Sequence, residues 1–316
     1  MPNSEKIKIS VIIPCFNEEK FLPSLFDALT KLSTAKNSYE VIIVDNGSSD
    51  RSVEIARENN AVVLIEPKGN ISKLRNIGAQ HASGEIFAFL DADCLPQSEW
   101  LVEASKYKQF SDVGLFGNIP LCTSDGTWVE KAWLGVSPKG VNDVDFICTA
   151  NMFIKKSVFE QVRGFNENLT TGEDYDICQR ILQAGYRIVH DDKVAVIHLR
   201  YPKTLFARYK KEIWYGKEMF NILKIKPLYK PFWTSLIFGC SLFVVIFSFF
   251  SGSFGAIFKF SLFLFLFLPI LSAAFKVMQS KRYKYFFQLV ILYFVYLAGR
   301  STSILRYGKH IITKIV

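Results

Sequence analysis

Ile86-Phe87-Ala88-Phe89-Leu90-Asp91-Ala92-Asp93 is an apolar run that stops abruptly on two carboxylates two residues apart. Unbroken apolar character over this length suits a strand buried on both faces. Such a strand does not normally finish on paired acids, because desolvating two like charges is costly unless a cation compensates. At the carboxyl edge of a parallel sheet, where open α/β folds bind ligands, an Asp-x-Asp pair can hold a divalent metal and, through it, a diphosphate.

The chain upstream supplies that sheet. Residues 8–14 read as a first strand, and 18–30 as a helix with Phe21, Leu22, Leu25, Phe26 and Leu29 on one face. Residues 41–45 form a second strand; the turn at 46–50 then supplies N-cap residues for a helix through about Glu58. A third strand at 61–65, a helix at 71–82 and a fourth strand at 86–91 follow. Strands alternating with helices predict a mostly parallel sheet with right-handed crossovers. Asp45 and Asp91 then fall at strand carboxyl ends on one edge. Residues 115–145 show no clear period, 146–154 are strand-like, and 156–162 form a short helix. Gly172-Glu173-Asp174-Tyr175-Asp176 opens a helix through about Ala184, and 187–198 divide into two short strands.

The chain has 316 residues, enough for one large or two modest domains. Charged and apolar residues mix up to about Tyr201; beyond Pro231 lie more than half of the 29 phenylalanines. Residues 1–8 are polar and lead straight into a strand, so no signal peptide is expected and the N-terminal domain is assigned to the cytoplasm. Residues 232–250 and 254–275 are each long enough to cross a bilayer, whereas 285–298 are short for a span and stay open as a third. Lys276, Lys281, Arg282 and Lys284 follow the second span, so the positive-inside rule places the hairpin tip outside. A third crossing would export Arg300, Arg306, Lys309 and Lys314 against that rule.

Much of the net charge of +9 sits in 203–230, where Lys and Arg alternate with Phe, Tyr and Trp. Nucleic-acid binding is one reading of such a stretch. Its place just before an apolar segment favours a membrane-surface helix facing anionic headgroups, and no nucleic-acid partner is expected. The six cysteines are scattered without a Cys-x-x-Cys pair, which indicates small hydrophobes of a reducing compartment rather than zinc or disulfides.

Five segments in order carry a family resemblance: Val11-Ile-Ile-Pro14-Cys-Phe-Asn17-Glu18-Glu19, Val44-Asp45-Asn46-Gly-Ser-Ser-Asp50, Arg75-Asn-x-Gly78, Leu90-Asp-Ala-Asp93 and Gly172-Glu-Asp-Tyr-Asp176. Together they resemble the family-two inverting glycosyltransferases, over about the first 200 residues. The resemblance implies an α/β, Rossmann-like GT-A domain that uses nucleotide-diphospho-sugars. Its expected limits are 1–202, followed by a basic amphipathic juxtamembrane segment at 203–231 and a transmembrane region at 232–316.

By the same resemblance, Pro14, Asn17, Glu18, Asp45, Asn46, Lys68, Arg75 and Asp91 belong to the donor site. Asp45 contacts the base, and Arg75 pairs with the donor's phosphates or base. Asp45-Asn46 stands where many relatives have Asp-Asp, and turn formation is the alternative role for both. Lys68 in Pro67-Lys-Gly69 is also readable as a plain turn residue. Asp93 is implied as the metal ligand, with Asp91 reaching ribose or metal-bound water; Mg²⁺ or Mn²⁺ suits the hard oxygen donors. Asp174 is implied as the base that inversion requires, with Glu173 binding acceptor hydroxyls or orienting Asp174. His198 is either a third metal ligand or a structural histidine. Trp128, Trp133 and Asn151 either line the acceptor groove or pack internally.

The expected function is transfer of a sugar from a nucleotide-sugar, a UDP-sugar foremost, to a polyprenyl-linked or glycan acceptor at the cytoplasmic face of the cell membrane. A processive polysaccharide synthase and a non-catalytic membrane scaffold are the alternatives. The former relatives carry Gln-x-x-Arg-Trp, where this chain has Arg208-Tyr-Lys-Lys-Glu-Ile-Trp214.

Overall fold

The computed structural model describes residues 9–33, 38–134 and 139–312. Residue 8 of the expected first strand and Lys314 of the basic tail lie outside that range. Two compact units are present, one of Met1–Thr123 with Pro138–Arg200, the other of Ser124–Ser137 with Tyr201–Val316.

The first unit opens with β1 (Ile9–Cys15), α1 (Leu22–Thr30), β2 (Tyr39–Asp45), α2 (Ser52–Glu58), β3 (Val62–Ile65), α3 (Ile71–His81) and β4 (Ile86–Leu90). β1 pairs in parallel with both β2 and β4, and β2 with β3. α1 starts later than expected. Residues 18–21 instead form a turn, because the amides of Glu18 and Glu19 donate to Ser52 Oγ and Asp50 Oδ2 (2.8 and 3.1 Å). Asp50 also accepts from the Ser52 amide at 3.0 Å, but the N-cap of α2 is Arg51, with no side-chain cap bond, so the expected cap from the 46–50 turn is not formed.

β5 (Cys94–Pro96), α4 (Trp100–Ser105) and β6 (Val113–Gly117) follow, and α5 (Trp128–Leu134) comes from the aperiodic middle. Then come β7 (Val141–Asp143), β8 (Asn151–Lys155), α6 (Lys156–Gln161), α7 (Glu173–Gln183), β9 (Arg187–Asp191) and β10 (Val196–His198). The large sheet runs β3-β2-β1-β4-β8-β6-β9-β7, with β8 inserted antiparallel between β4 and β6. A separate antiparallel pair joins β10 to β5.

Alternation along β1 sends Val11 and Ile13 to one core, with α1 and Trp100, and Ile12 to the other, with α3, α6 and α7. Phe87, Phe89, Phe159 and Phe165 form a ring cluster in the second core. Each buried ring contributes about 2 kcal/mol through area removed from water. α3 approaches β1 very closely at Gly78, where an added Cβ would stand 2.4 Å from Ile12 Cγ2.

The second unit holds α5, α8 (Leu205–Tyr215), α9 (Glu218–Ile225), α10 (Lys230–Ser251), α11 (Ala256–Ser280) and α12 (Phe286–Ile312). Three stretches, Lys230–Ser251, Ala256–Ser280 and Tyr283–Gly308, are long and apolar enough to cross a membrane. Residues 124–137, expected within the N-terminal domain, group here because Trp133 stacks under the Arg208 guanidinium at 3.7 Å and against Tyr296. The basic stretch is not uniformly a surface. Arg208 is 4% exposed and pairs with the fully buried Glu212, which also holds Arg300 at 2.8 Å.

Candidate active site

Parallel strands deliver three loops to one sheet edge. Cys15 stands in register with Asp45, and Ile12 with Phe89, so the loops after β1, β2 and β4 leave side by side. The first two are laced together. Asn17, at φ +56°, accepts from the Ser49 amide at 2.9 Å and donates its own amide to Ser48 Oγ at 2.9 Å. Asp45 Oδ1 accepts the Gly47 and Ser48 amides, both at 2.9 Å, and Oδ2 accepts the Ser48 hydroxyl. Asp45 thus fills the turn role given above as its alternative, and Asn17 laces the loop after β1 to that turn. Asn46 differs: its Oδ1 is buried and has no hydrogen-bond partner among the described residues. Pro14 is buried within β1, and Lys68 is an exposed turn residue.

β4 ends at Leu90, so Asp91 and Asp93 occupy a turn rather than one face of a continuing strand. They diverge accordingly: Asp91 is half-buried and Asp93 is 7% exposed. The β10–β5 pairing sets His198 opposite Cys94, and the Leu199 amide donates to the Asp93 carbonyl at 2.9 Å. This clamp brings His198 Nε2 to 3.7 Å from Asp93 Oδ1 and Arg200 Nε to 3.5 Å from Asp93 Oδ2. Arg200 also pairs with Glu18 and lies over the Phe21 ring at 4.5 Å. Burial raises the Asp93 carboxyl, with His198 opposing and Asp91 adding to the shift. Burial likewise raises Glu18, opposed by Arg200.

Arg75 is the hub of the site. It is 3% exposed, and its guanidinium joins Glu173 Oε1 at 2.8 Å to Asp91 Oδ1 at 3.2 Å. Both terminal nitrogens meet carboxylates of the protein, while the buried Nε has no hydrogen-bond partner among the described residues. Asn76 next to it exchanges hydrogen bonds with Phe165 (2.9 and 2.8 Å), which fixes the segment leading into α7. That helix starts after Gly172 at φ +83°, a left-handed turn that suits glycine. Asp174 in its first turn is half-buried, and its Oδ1 accepts the Tyr175 amide at 2.8 Å.

The residues drawn together are Glu18, Asp91, Asp93, Glu173, Arg75, His198 and Arg200. Four carboxylates face two guanidinium groups, an excess that a divalent cation would offset. Asp93, Cys94 and His198 form a cluster whose ligand atoms lie within 4.8 Å of one another. Burial pushes the Cys94 thiol well up, so it stays protonated and is a poor partner for a hard cation. The Asp93 carboxylate is the hard oxygen donor of this cluster; Asp91, turned toward Arg75, is outside it. His198 fits less directly: its Nδ1 accepts the Arg200 amide at 3.1 Å, which leaves the proton on Nε2 toward Asp93. Ligation through Nε2 requires that proton to leave.

Of the two roles open to Asn151, internal packing is the one the structure shows. It is 0% exposed; Trp100 Nε1 donates to its Oδ1 at 2.9 Å, and its amide donates to the Val194 and Asn118 carbonyls. It stitches the core and offers nothing to an acceptor. Trp133 packs internally in the second unit, while Trp128 there is 45% exposed. The sequence reading gives Arg200 no role; a cation directly after a strand and two residues past His198 is the available signal.

An α/β domain with nucleotide-sugar-type loops and an acidic edge is what this fold and site define. Models described as "Glycosyl transferase family 2" and "Glycosyl transferase family group 2" match residues 10–163 and 132–299. The chain belongs to the family-two glycosyltransferases. It is 33% identical over 201 residues to glycosyltransferase AglE of Haloferax volcanii, covering 60% of this chain and 66% of AglE. To the poly(ribitol-phosphate) β-N-acetylglucosaminyltransferase TarS of Staphylococcus aureus it is 33% identical over 115 residues, 34% of this chain and 20% of TarS. The chain thus spans just under two thirds of the first relative and a fifth of the second. Among solved structures, mannosyltransferase PcManGT of Pyrobaculum calidifontis, in complex with GDP-Man and Mn²⁺, has TM-score 0.61 at 16% identity, covering 96% of this chain and 88% of that one. Residues 1–349 of S. aureus TarS with UDP-GlcNAc give 0.54 at 17%, covering 96% and 92%. At these identities the likeness is one of fold, the GT-A fold.

Proposed function

We propose that this chain is an inverting glycosyltransferase that moves a sugar from a nucleotide-diphospho-sugar to a hydroxyl of a membrane-associated, polyprenyl-linked acceptor at the cytoplasmic face. The observation that carries the reading is the Asp91–Arg75–Glu173 bridge. It ties the Asp-x-Asp turn to the helix bearing Asp174, so donor-side and acceptor-side acids share one edge. Relatives in complex with UDP-GlcNAc and GDP-Man support a nucleotide-sugar donor, and a UDP-sugar is the first to test.

Asp174 takes the proton from the acceptor hydroxyl as that oxygen attacks the anomeric carbon opposite the departing diphosphate. Glu173, held by Arg75, keeps the first turn of α7 in place. Asn46 Oδ1 offers an acceptor for a base N–H. Asp93 and Asp91, with His198 once its proton has moved, would hold the divalent cation, which when bound offsets charge on the leaving diphosphate. The apolar helices confine the enzyme where lipid-linked acceptors are found, and the basic residues at 276–284 support an inward-facing N-terminal domain.

The experiment is a panel of nucleotide sugars with a lipid-linked acceptor, read as released nucleoside diphosphate, on the native protein and Asp174→Asn. Binding of the preferred donor should be retained in Asp174→Asn while transfer falls by about 10²-fold or more. Lost donor affinity with intact turnover would reassign Asp174 to binding.

A further inference from the structure

We propose that α12 does not cross the membrane but lies along its surface, over the open end of the α10–α11 hairpin. Among the described residues the chain then crosses twice, and α12 stays on the side of α8 and α9. This goes beyond the proposed chemistry and rests on reading α10 and α11 as spans.

Length and composition alone make α12 a third span, although its mean hydropathy is 1.3 against 2.1 for the other two. A third span running antiparallel to α11 would carry its C-terminal half toward the hairpin tip at 252–255. The contacts place it elsewhere. Leu289 and Leu292 pack with Ala273 and Val277, near the end of α11 remote from the tip. Ser301 lies nine residues beyond Leu292, about 14 Å along a helix axis. Yet its hydroxyl donates to the Ser235 carbonyl at 2.6 Å, in the second turn of α10 and again remote from the tip.

The final turns follow the same level. A Cβ at Gly308 would stand 3.9 Å from the Phe220 ring, and Phe220 meets Phe232, in the first turn of α10, at 5.8 Å between centroids. Phe294, near the middle, reaches deeper, to Phe238 and Phe265 at 6.2 and 5.5 Å. Both ends of α12 therefore lie at the open end of the hairpin, and the helix crosses that end obliquely.

Charge agrees with this placement. Lys276, Lys281, Arg282 and Lys284 mark the open end, and residues 252–255 at the tip carry no charge. Arg300 is met by Glu212 of α8, so no unpaired guanidinium from it enters the bilayer. Arg306 joins the cations of the open end instead of being exported. The surface formed there suits anionic headgroups, with Phe287 and Leu305 (79% and 78% exposed) available to the acyl boundary.

The test uses single cysteines in the full chain, expressed in a bacterial inner membrane: Leu305→Cys on α12, Ser253→Cys at the tip and Glu58→Cys on α2. Each is treated with a membrane-impermeant maleimide in right-side-out and inside-out vesicles, with the unsubstituted chain as background. Leu305→Cys should react from the same face as Glu58→Cys, and Ser253→Cys from the opposite face. Reaction of Leu305→Cys from the face of Ser253→Cys overturns the proposal and makes α12 a third span. Reaction of all three from one face removes the hairpin reading itself, and the proposal with it.

Discussion

Arg75 sets the character of this site because one guanidinium is shared by two carboxylates from different elements. A planar fork can hold Asp91 and Glu173 at once, whereas an ammonium is a point charge. Arg75→Lys should therefore keep the charge but lose the two-sided grip. We expect a folded protein whose donor Kd changes by less than about threefold while kcat falls by about 10-fold or more. Arg75→Lys with Glu173→Gln should lose little beyond the worse single variant, since both changes break one link. A donor Kd rising in step with the loss of kcat would return Arg75 to the phosphates. Cation dependence belongs to the same scale. Excess chelator should abolish transfer, Mn²⁺ or Mg²⁺ should restore it, and Asp93→Asn should lower Mn²⁺ affinity measured by titration calorimetry. Full activity in chelator would remove Asp91 and Asp93 from metal binding.

Among elements, those with a clear period were legible and those defined by long-range pairing were not. β1, β2 and β4 are apolar runs between turn residues, so the sequence placed them within a residue or two. Residues 146–154 were read as strand-like, whereas β8 begins only at Asn151, and its insertion antiparallel between β4 and β6 follows from register with residues far away in the chain, which no local pattern encodes. The acids Asp91, Asp93 and Glu173 were legible because each sits at an element boundary. Their partner Arg75 was placed on the third crossover helix, but its burial was not foreseen, since a helix face reveals periodicity and not which charges meet it 98 residues later. Between the two roles open to Asn151 the sequence could not choose, for the same reason. Three hydrogen bonds to Trp100, Val194 and Asn118 hold it between β8 and its neighbours. Asn151→Leu should leave those groups unpaired and lower stability by about 1–3 kcal/mol, seen as a reduced unfolding midpoint. The KM for acceptor should stay within about twofold in the folded fraction; a selective rise in that KM would restore Asn151 to the acceptor site.

At the scale of the whole molecule, hydropathy located the apolar helices but not the direction in which each runs. Length makes α12 a candidate span, while its interior polar groups make it a packed element of the second unit. The buried Arg208–Glu212–Arg300 group is the clearest of these. One carboxylate serves two guanidinium groups, Trp133 covers Arg208 at 3.7 Å, and the Tyr215 carbonyl takes a further bond from Arg300 at 2.8 Å. Attraction inside such a group roughly offsets its desolvation cost while complete, but removing one partner leaves charge buried without compensation. Glu212→Gln should thus be far more damaging than loss of an exposed ion pair such as Arg51–Glu54, whose members are more than half exposed. We expect about 3–5 kcal/mol of destabilisation, read as a lower unfolding midpoint in detergent, against little or no change in midpoint for Glu54→Gln. Because Glu212 joins α8 to α12, its loss should also expose Leu305→Cys and neighbouring positions of α12 to faster maleimide reaction without changing the face from which they react. An unfolding midpoint unchanged by Glu212→Gln would mean that α8 and α12 are held by apolar packing alone, with the ion group incidental to it.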